Sequence, residues 1–282
     1  MFERILLTTD GSRGAARAAS YGLDLAAHLD ASVGVLSVVD TRMAELSGSD
    51  GVEAIVERAE ASCRAAVEAV GEDEHDLDID REVRYGVPNE EILAHADETG
   101  TDLVVVGTSR NGDERLGSTA ERVVSLAKVP VLTVGPGEQS PSLSSLDDIV
   151  VPTDGSDPAE RAAEHALELA ERFGATVHSL YVVDTTVYDL EDAPRSIIGL
   201  LKNGGERATT TISANADAIN VPSVARVVRG NPAAEVLAYA DGVDADLLVM
   251  GTRGRSGLPE HLLGSTTRRI VRDTERPVLS VS

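Results

Sequence analysis

The sequence predicts an α/β protein: two tandem domains, each a five-stranded parallel sheet wound on both faces by helices, Rossmann-like in kind. Three observations predict it. The chain repeats itself, short apolar runs alternate with helical patterns in each copy, and glycine-rich turns follow those runs where a parallel sheet exposes its carboxyl ends.

The repeat is read directly. Ile5-Leu-Leu-Thr-Thr-Asp-Gly-Ser12 recurs as Ile149-Val-Val-Pro-Thr-Asp-Gly-Ser156, a spacing of 144. The same spacing relates Val38-Val-Asp40 to Val182-Val-Asp184, Gly86-Val-Pro88 to Gly230-Asn-Pro232, and Asp102–Thr108 to Asp246–Thr252. Pro130-Val-Leu-Thr-Val134 matches Pro277-Val-Leu-Ser-Val281 at a spacing of 147, so the first copy lacks three residues between Thr108 and Pro130. A register held this long marks a duplication. The chain of 282 residues suits two domains of roughly 150 each, and residues 1–137 and 146–282 are the expected domains. Pro136-Gly-Glu-Gln-Ser-Pro-Ser-Leu-Ser-Ser145 between them has linker composition.

The elements follow in order, taking the second copy. Ile149–Pro152 is a short apolar strand. Asp157-Pro158 opens a helix, with Asp as N-cap and Pro at its first position. Ala162, Ala163, Ala166, Leu167, Leu169 and Ala170 give it an apolar face. Val177–Val183 is a second strand, followed by a poorly marked helical region between Tyr188 and Ala218. Val224–Val228 is a third strand, Pro232–Asp241 a helix, Leu247–Met250 a fourth strand, Ser265–Asp273 a helix and Pro277–Val281 a fifth strand. Strands apolar throughout, rather than alternating, are expected when helices cover both faces.

Composition excludes several classes. Net charge is −23, and Lys128 and Lys202 are the only lysines. Such a surface repels nucleic acid and anionic membranes. Acid enrichment with lysine depletion along the whole chain reads as halophilic adaptation, because salt screens the self-repulsion, with an ordinary acidic protein as the alternative. The sequence shows no membrane span and no secretory signal. Cys63, in the helical-looking stretch 52–70, is the single cysteine and reads as a buried small side chain. A cytoplasmic protein is expected.

The chemistry concentrates in Gly251-Thr-Arg-Gly-Arg-Ser-Gly-Leu-Pro-Glu-His-Leu-Leu-Gly-Ser-Thr266. This stretch leaves the carboxyl end of the fourth strand, where ligands of open parallel sheets sit. Gly251 allows a sharp turn and close approach. Gly264-Ser265-Thr266 begins a helix whose first N–H groups lack intrahelical partners and carry partial positive charge. A phosphate suits that place, and Arg253 and Arg255 could bring charge to it. Other chemistry finds less support. His28, His75, His95, His165, His178 and His261 have no metal-ligand spacing to one another or to Cys63, and His261 is the one nearest the glycine stretch. Neither a Gly-x-Ser-x-Gly elbow nor a Walker lysine is present. The acidic run Glu72–Asp80 reads as a solvated loop before a strand. No nucleophile is assembled with a base, so a non-enzymatic protein is expected, with at most slow, incidental ATP hydrolysis.

The spacing Gly251-x2-Gly254-x9-Gly264-Ser265 resembles the ATP-binding motif of the universal stress protein family. Asp154 at the end of strand one, Val182-Val-Asp184 at the end of strand two, and Gly230-x-Pro232 before a helix are also similar to that family, and the resemblance spans both copies. It implies the strand order 3-2-1-4-5, an adenine nucleotide α-hydrolase-like sheet. It also implies residue roles. Asp154 would reach the adenine–ribose end of the nucleotide, with capping of the turn as an alternative or additional role. Val182 would touch adenine through its backbone, and Met250 and Gly251 would line the ribose. Arg253, Gly254, Gly264, Ser265 and Thr266 would hold the phosphates, bridged by a divalent cation, Mg or Mn. ATP itself, rather than AMP or cyclic AMP, rests on the resemblance.

The first copy departs from the pattern. In Gly107-Thr-Ser-Arg-Asn-Gly-Asp-Glu-Arg-Leu-Gly-Ser-Thr119, Arg110 replaces the second glycine, Gly112 stands near it, and Asp113 and Glu114 bring negative charge. Asp10, Val38, Gly107, Gly117, Ser118 and Thr119 still match, so a weak second site is expected at best. The resemblance further implies that the apolar fifth strands of the two copies pair, making an intramolecular pseudo-dimer, and leaves a homodimer of whole chains open. Three functions follow in order: a nucleotide-binding stress or signalling protein acting through ligand-dependent conformation and partner binding; a non-nucleotide interaction module of the same fold; and an ATP-using enzyme of the α-hydrolase type. The last is disfavoured by the single glycine and two acids of Asp154-Gly-Ser-Asp-Pro158.

Overall fold

A computed structural model describes residues 1–44, 48–68, 78–108, 117–135, 143, 146–185, 195–254 and 262–282. The chain divides into two compact units, Met1–Leu143 and Ser144–Ser282. Unit 1 comprises β1 (Arg4–Thr9), α1 (Arg13–Leu29), β2 (Ser32–Asp40), α2 (Thr41–Ala44), α3 (Gly48–Glu68), β3 (Ile79–Gly86), α4 (Pro88–Thr99), β4 (Leu103–Gly107), α5 (Ser118–Leu126) and β5 (Val131–Val134). Its strands pair in parallel in the order β3-β2-β1-β4-β5. Unit 2 comprises β6 (Asp148–Pro152), α6 (Asp157–Phe173), β7 (Thr176–Asp184), α7 (Arg195–Ala218), β8 (Ser223–Gly230), α8 (Pro232–Gly242), β9 (Leu247–Gly251), α9 (Ser265–Asp273) and β10 (Val278–Val281). Its strands pair in parallel in the order β8-β7-β6-β9-β10. Both units thus have the order 3-2-1-4-5. In unit 2, α6 and α7 pack together on the sheet, and α8 packs with α9 as a second layer.

The central strands are apolar and buried: Ile149, Val150, Val151, Leu248 and Val249 have essentially no exposed surface. The alanines of α6 at 159, 162, 163, 166 and 170 all face this core. Side chains this short let the helix lie close to the sheet, which matters below. Each sheet is also clasped at its amino end by an aspartate of the repeat. Asp102 accepts from the backbone N of Glu3 (2.8 Å) and Arg4, and Asp246 accepts from the N of Asp147 (2.8 Å) and Asp148 (3.0 Å).

Two expectations are corrected. The third strands are not apolar throughout. β3 reads Ile-Asp-Arg-Glu-Val-Arg-Tyr-Gly and β8 carries Arg226 and Arg229, because both lie at a sheet edge where one side meets water. The N-cap of α6 is Ser156, not Asp157, which lies inside the first turn with Pro158. The helical region expected between Tyr188 and Ala218 contains α7, Arg195–Ala218, and residues 186–194 lie outside the described residues. Cys63 is buried in α3, its thiol facing the Glu82 carbonyl at 3.6 Å, and burial raises its pKa above the ordinary thiol value.

A buried imidazole sits between the sheet and its fourth-position helix in each unit, reached from different sides. In unit 1 it is His95 of α4, beside Gly34 of β2. In unit 2 the matching positions are Tyr239 and His178, and the imidazole comes from the strand. His178 Nδ1 meets the Tyr239 hydroxyl at 2.9 Å and Nε2 meets Asp148 Oδ1 at 2.7 Å. His95 is held below the ordinary histidine pKa chiefly by burial; Glu82 and Glu98 oppose this, while Arg84 and Arg4 add to it. A histidine depressed in the fold contributes full stability above its unfolded pKa of about 6.5 and loses it as pH falls below that value, since the unfolded chain then binds the extra proton. The unfolding free energy of wild type relative to His95→Gln should therefore decline from pH 7.5 to pH 5.5 in urea titrations. A flat difference would remove His95 from this role.

Neighbouring glycines in α7 should respond with opposite sign. A Cβ on Gly204 meets nothing within 4 Å, whereas one on Gly205 falls 2.5 Å from the Tyr181 ring. Gly204→Ala should stabilise unit 2 by about 0.5–1 kcal/mol through helix propensity. Gly205→Ala should destabilise it by about 1–3 kcal/mol through overpacking. Chemical denaturation of the two variants checks this.

Candidate functional site

The site is built where β6 and β9 end side by side, at the point where strand order reverses. β6 runs into the turn Thr153-Asp154-Gly155-Ser156. Gly155 takes φ +71°, the left-handed region open to glycine. The buried Thr153 accepts from Gly155 N through Oγ1 at 3.1 Å. Asp154 Oδ1 accepts from Ser156 N at 3.0 Å and from Ser156 Oγ at 2.6 Å. This turn repeats at Thr9-Asp10-Gly11-Ser12, where Asp10 Oδ1 accepts from Ser12 N at 2.8 Å. Asp154 and Asp10 therefore do cap the turn. Ser12 also caps α1, accepting from Ala15 N at 3.2 Å, whereas Ser156 turns its hydroxyl to Asp154 and leaves α6 without a side-chain cap.

The glycines of the motif are explained by close approach. A Cβ on Gly251 would lie 3.0 Å from Pro158 and 3.1 Å from Ala159 N, because the alanine-faced α6 presses its first turn onto the end of β9. A Cβ on Gly254 would fall 2.4 Å from Asp154 Oδ2. The chain leaving β9 thus passes directly over the Oδ2 side of the Ser156-clamped carboxylate. A Cβ on Gly264 would lie 3.2 Å from Thr252 O and 3.6 Å from Arg253 Cα. Gly264 N donates to Thr252 O at 2.9 Å, which brings the start of α9 back to the end of β9.

Gly264 is the N-cap of α9, with φ −59° and no side chain to cap the helix. The first intrahelical bond is Arg268 N to Gly264 O at 2.9 Å, which leaves the N–H groups of Ser265, Thr266 and Thr267 without helical acceptors. Ser265 is exposed, Thr266 and Arg253 are half-buried, and the first turn carries no acid. Val182 stands two residues beyond Leu180, which pairs with the last residue of β6, so its backbone lies past the sheet's centre at the same carboxyl edge. Met250 is buried within β9. The structure thus brings together Asp154, Gly251, Arg253, Gly254 and Gly264 with the α9 amides. Arg255 and His261 lie outside the described residues. Sequence reasoning missed Ser156, Thr252 and Thr267; hydroxyl residues beside a motif glycine were the available signal.

Much of the basic run following the motif serves another purpose. Arg269 donates to Asn231 Oδ1, the N-cap of α8, at 3.4 Å and faces Asp273 at 3.6 Å; Arg272 pairs with Asp273 at 2.9 Å. Arg276 donates to the Ala245 carbonyl at 2.6 Å and faces Asp241 and Asp244.

In unit 1 the scaffold is the same but the chemistry differs. Gly107 is pressed even harder, by Gly14 C and O and Ala15 N, each 2.5 Å from a Cβ placed there. Gly117 caps α5 with φ −62°, followed by Ser118 and Thr119. The first turn of α5, however, carries Glu121 where α9 has Arg268. Val38 occupies the place of Val182 in β2. Arg110, Gly112, Asp113 and Glu114 lie outside the described residues. Among the described residues, no group of three or more His, Cys, Asp or Glu side chains could hold a metal ion, and no helix is long and apolar enough to cross a membrane.

Close approach of Gly254 to Asp154 makes a double-mutant cycle informative. Gly254→Ala should cost about 1–3 kcal/mol in the wild-type background and markedly less in an Asp154→Ala background, where the obstructing carboxylate is gone. Equal costs in both backgrounds, read from urea unfolding, would contradict the contact.

Comparison with known proteins gives the family. The model of the universal stress protein family matches residues 1–135 and again 146–282. A universal stress protein of Methanocaldococcus jannaschii is 39% identical over 136 residues, covering 47% of this chain and 80% of that protein. One of Mycolicibacterium smegmatis is 25% identical over 297 residues, covering 98% of this chain and 96% of that protein. The crystal structure of a universal stress protein from Archaeoglobus fulgidus matches with a TM-score of 0.76 at 21% identity, over 99% of this chain and 96% of that one, a likeness of fold. With the family model matched twice across nearly its whole length, the chain belongs to the universal stress protein family as a tandem two-domain member.

Proposed function

We propose that unit 2 binds an adenine nucleotide, ATP by preference, and acts as a stress-response or signalling protein through ligand-dependent conformation. One observation carries the proposal. The acid-free N-terminus of α9, without a side-chain cap, faces the carboxyl edge of the sheet at its switch point, and glycines at 251, 254 and 264 let the chain segments there approach closely. Unpaired amides at a helix start attract phosphate, with Arg253 adding charge. Gly264, Ser265 and Thr266 hold the phosphates in this reading. Asp154, oriented by Ser156, serves the ribose, and the backbone at Val182, Met250 and Gly251 serves the base and sugar. A divalent cation, Mg or Mn, is held through the phosphates rather than by a protein cluster.

Unit 1 is the weaker site in this reading, because Glu121 places a carboxylate in the turn that would face phosphate. The nucleotide acts on α9, and the Arg269–Asn231 bond gives α9 a direct link to the start of α8, so a surface formed by these helices is what a partner would read. Binding, not catalysis, is the proposed activity. The acid-rich, lysine-poor surface fits work in a salt-rich cytoplasm.

The experiment is to denature freshly purified protein and identify released small molecules, then titrate ATP into wild type and Gly264→Asp. One dominant site per chain is expected. At Gly264 the φ of −59° suits any residue and the nearest backbone atom is 3.2 Å from the new Cβ. Aspartate there can cap α9 against the tight approach of Thr252 O, so the unfolding free energy should change by no more than about 1 kcal/mol, while ATP weakens more than about tenfold through charge repulsion. Undiminished affinity, or two equal sites, would contradict the proposal.

A further inference from the structure

The last helix of each unit starts from the same cap conformation, yet in unit 2 a buried side-chain bond is added. Thr267 Oγ1 donates to the Gly251 carbonyl at 2.8 Å, and the Thr267 side chain is only 3% exposed. With the bond from Gly264 N to Thr252 O at 2.9 Å, it ties the first turn of α9 to two consecutive residues at the exit of β9. Thr252 N in turn donates to Val281 O at 2.7 Å, so the anchor belongs to the sheet. At the matching place in unit 1 stands Ala120, which has no hydroxyl. The cap itself is unchanged there: φ −62° and ψ 148° at Gly117 against φ −59° and ψ 145° at Gly264. The cap conformation is therefore shared while the side chain at this position differs.

Resting on the nucleotide reading above, we infer that Thr267 is a positioning residue for the phosphate-binding amides. Its hydroxyl sets the separation between Gly251, on the sugar side, and the N–H groups of Ser265 and Thr266, on the phosphate side. A ligand that must touch both ends at once depends on that separation. A ligand lacking phosphate does not. The carbonyl of Gly251, buried at the strand end, is also kept satisfied by this bond, which would otherwise be a costly orphan. Unit 1 has Ala120 in place of the tethering threonine and Glu121 in its first turn, so its amides are not held for phosphate even though Gly107 and Gly117 match Gly251 and Gly264.

The test compares wild type, Thr267→Val and Thr267→Ser. Valine keeps the branched shape without the hydroxyl, and serine keeps the hydroxyl with less bulk. ATP and adenosine are titrated calorimetrically, and amide hydrogen exchange is followed across residues 262–270 without ligand. Thr267→Val should weaken ATP about tenfold, as expected for loss of a buried hydrogen bond that leaves its acceptor unpaired. Adenosine affinity should stay within about twofold, and amide exchange at the start of α9 should accelerate. Thr267→Ser should restore both ATP affinity and protection. Unchanged ATP affinity in Thr267→Val would overturn the inference while leaving the nucleotide site standing. An equal loss for ATP and adenosine, or no rescue by serine, would also overturn it, since that pattern belongs to a general packing defect. A wild-type protein that binds neither compound would sink the nucleotide reading itself, and is distinguished from the other outcomes by appearing before any substitution is made.

Discussion

The first helix of each unit lies so close to the sheet that the strand beside it must end in glycine. Alanines along α6 make that approach possible, and Gly251 accommodates it, with Pro158 and Ala159 at 3.0–3.1 Å from any Cβ placed there. The helix also covers one side of the switch point where β6 and β9 part. The segments that meet at that point are the end of β9, the turn over Asp154 and the start of α9. Dispersion and apolar burial dominate the energetics of this contact, yet it also fixes where the first amides of α9 stand relative to the end of β9.

Duplication lets each unit serve as a reference for the other. The elements that hold the sheet together agree: the aspartate clasps at Asp102 and Asp246, the Asx turns at Asp10 and Asp154, and the pressed glycines at 107 and 251. The groups that would meet a phosphate differ, with Glu121 and Ala120 against Arg268 and Thr267. Differences also occur where no ligand is expected, as in the exchange of His95 for the His178–Tyr239 pair. The slot is filled from the strand in unit 2, with both His178 nitrogens hydrogen-bonded, and from the helix in unit 1, where His95 Nδ1 faces Glu82 at 3.4 Å without a hydrogen bond. Divergence at the phosphate end is therefore meaningful mainly because it changes charge and tethering together.

Arginine in the last part of unit 2 has a largely structural explanation. Arg269, Arg272 and Arg276 engage Asp273, Asn231, Asp241, Asp244 and a carbonyl, joining α8, α9 and the approach to β10. Exposed pairs of this kind contribute little individually, about 0–1 kcal/mol. In a chain of net charge −23 they also moderate local repulsion among the acids of α8 and its following turn. Arg253 remains the motif arginine placed beside the site rather than along the helix surface.

The sequence by itself determined the duplication, the alternation of strand and helix, the parallel order once the family was recognised, and the glycines, serine and aspartate of the candidate site. These are local or periodic properties, carried by φ/ψ preference, hydrophobic spacing and turn chemistry, and so they survive in one dimension. It misjudged the polarity of β3 and β8, because whether a strand lies at an edge depends on its neighbours. It placed the α6 cap one residue late, because Asp, Pro and Ser offer competing local starts that only the folded turn resolves. Tertiary structure alone decided why the glycines are glycines and which hydroxyl ties α9 to β9. Gly254 is small because Asp154, one hundred residues earlier, lies beneath it, and Thr267 matters because a carbonyl sixteen residues away comes within 2.8 Å. Such requirements arise from contact between segments, and contact is a property of the folded chain.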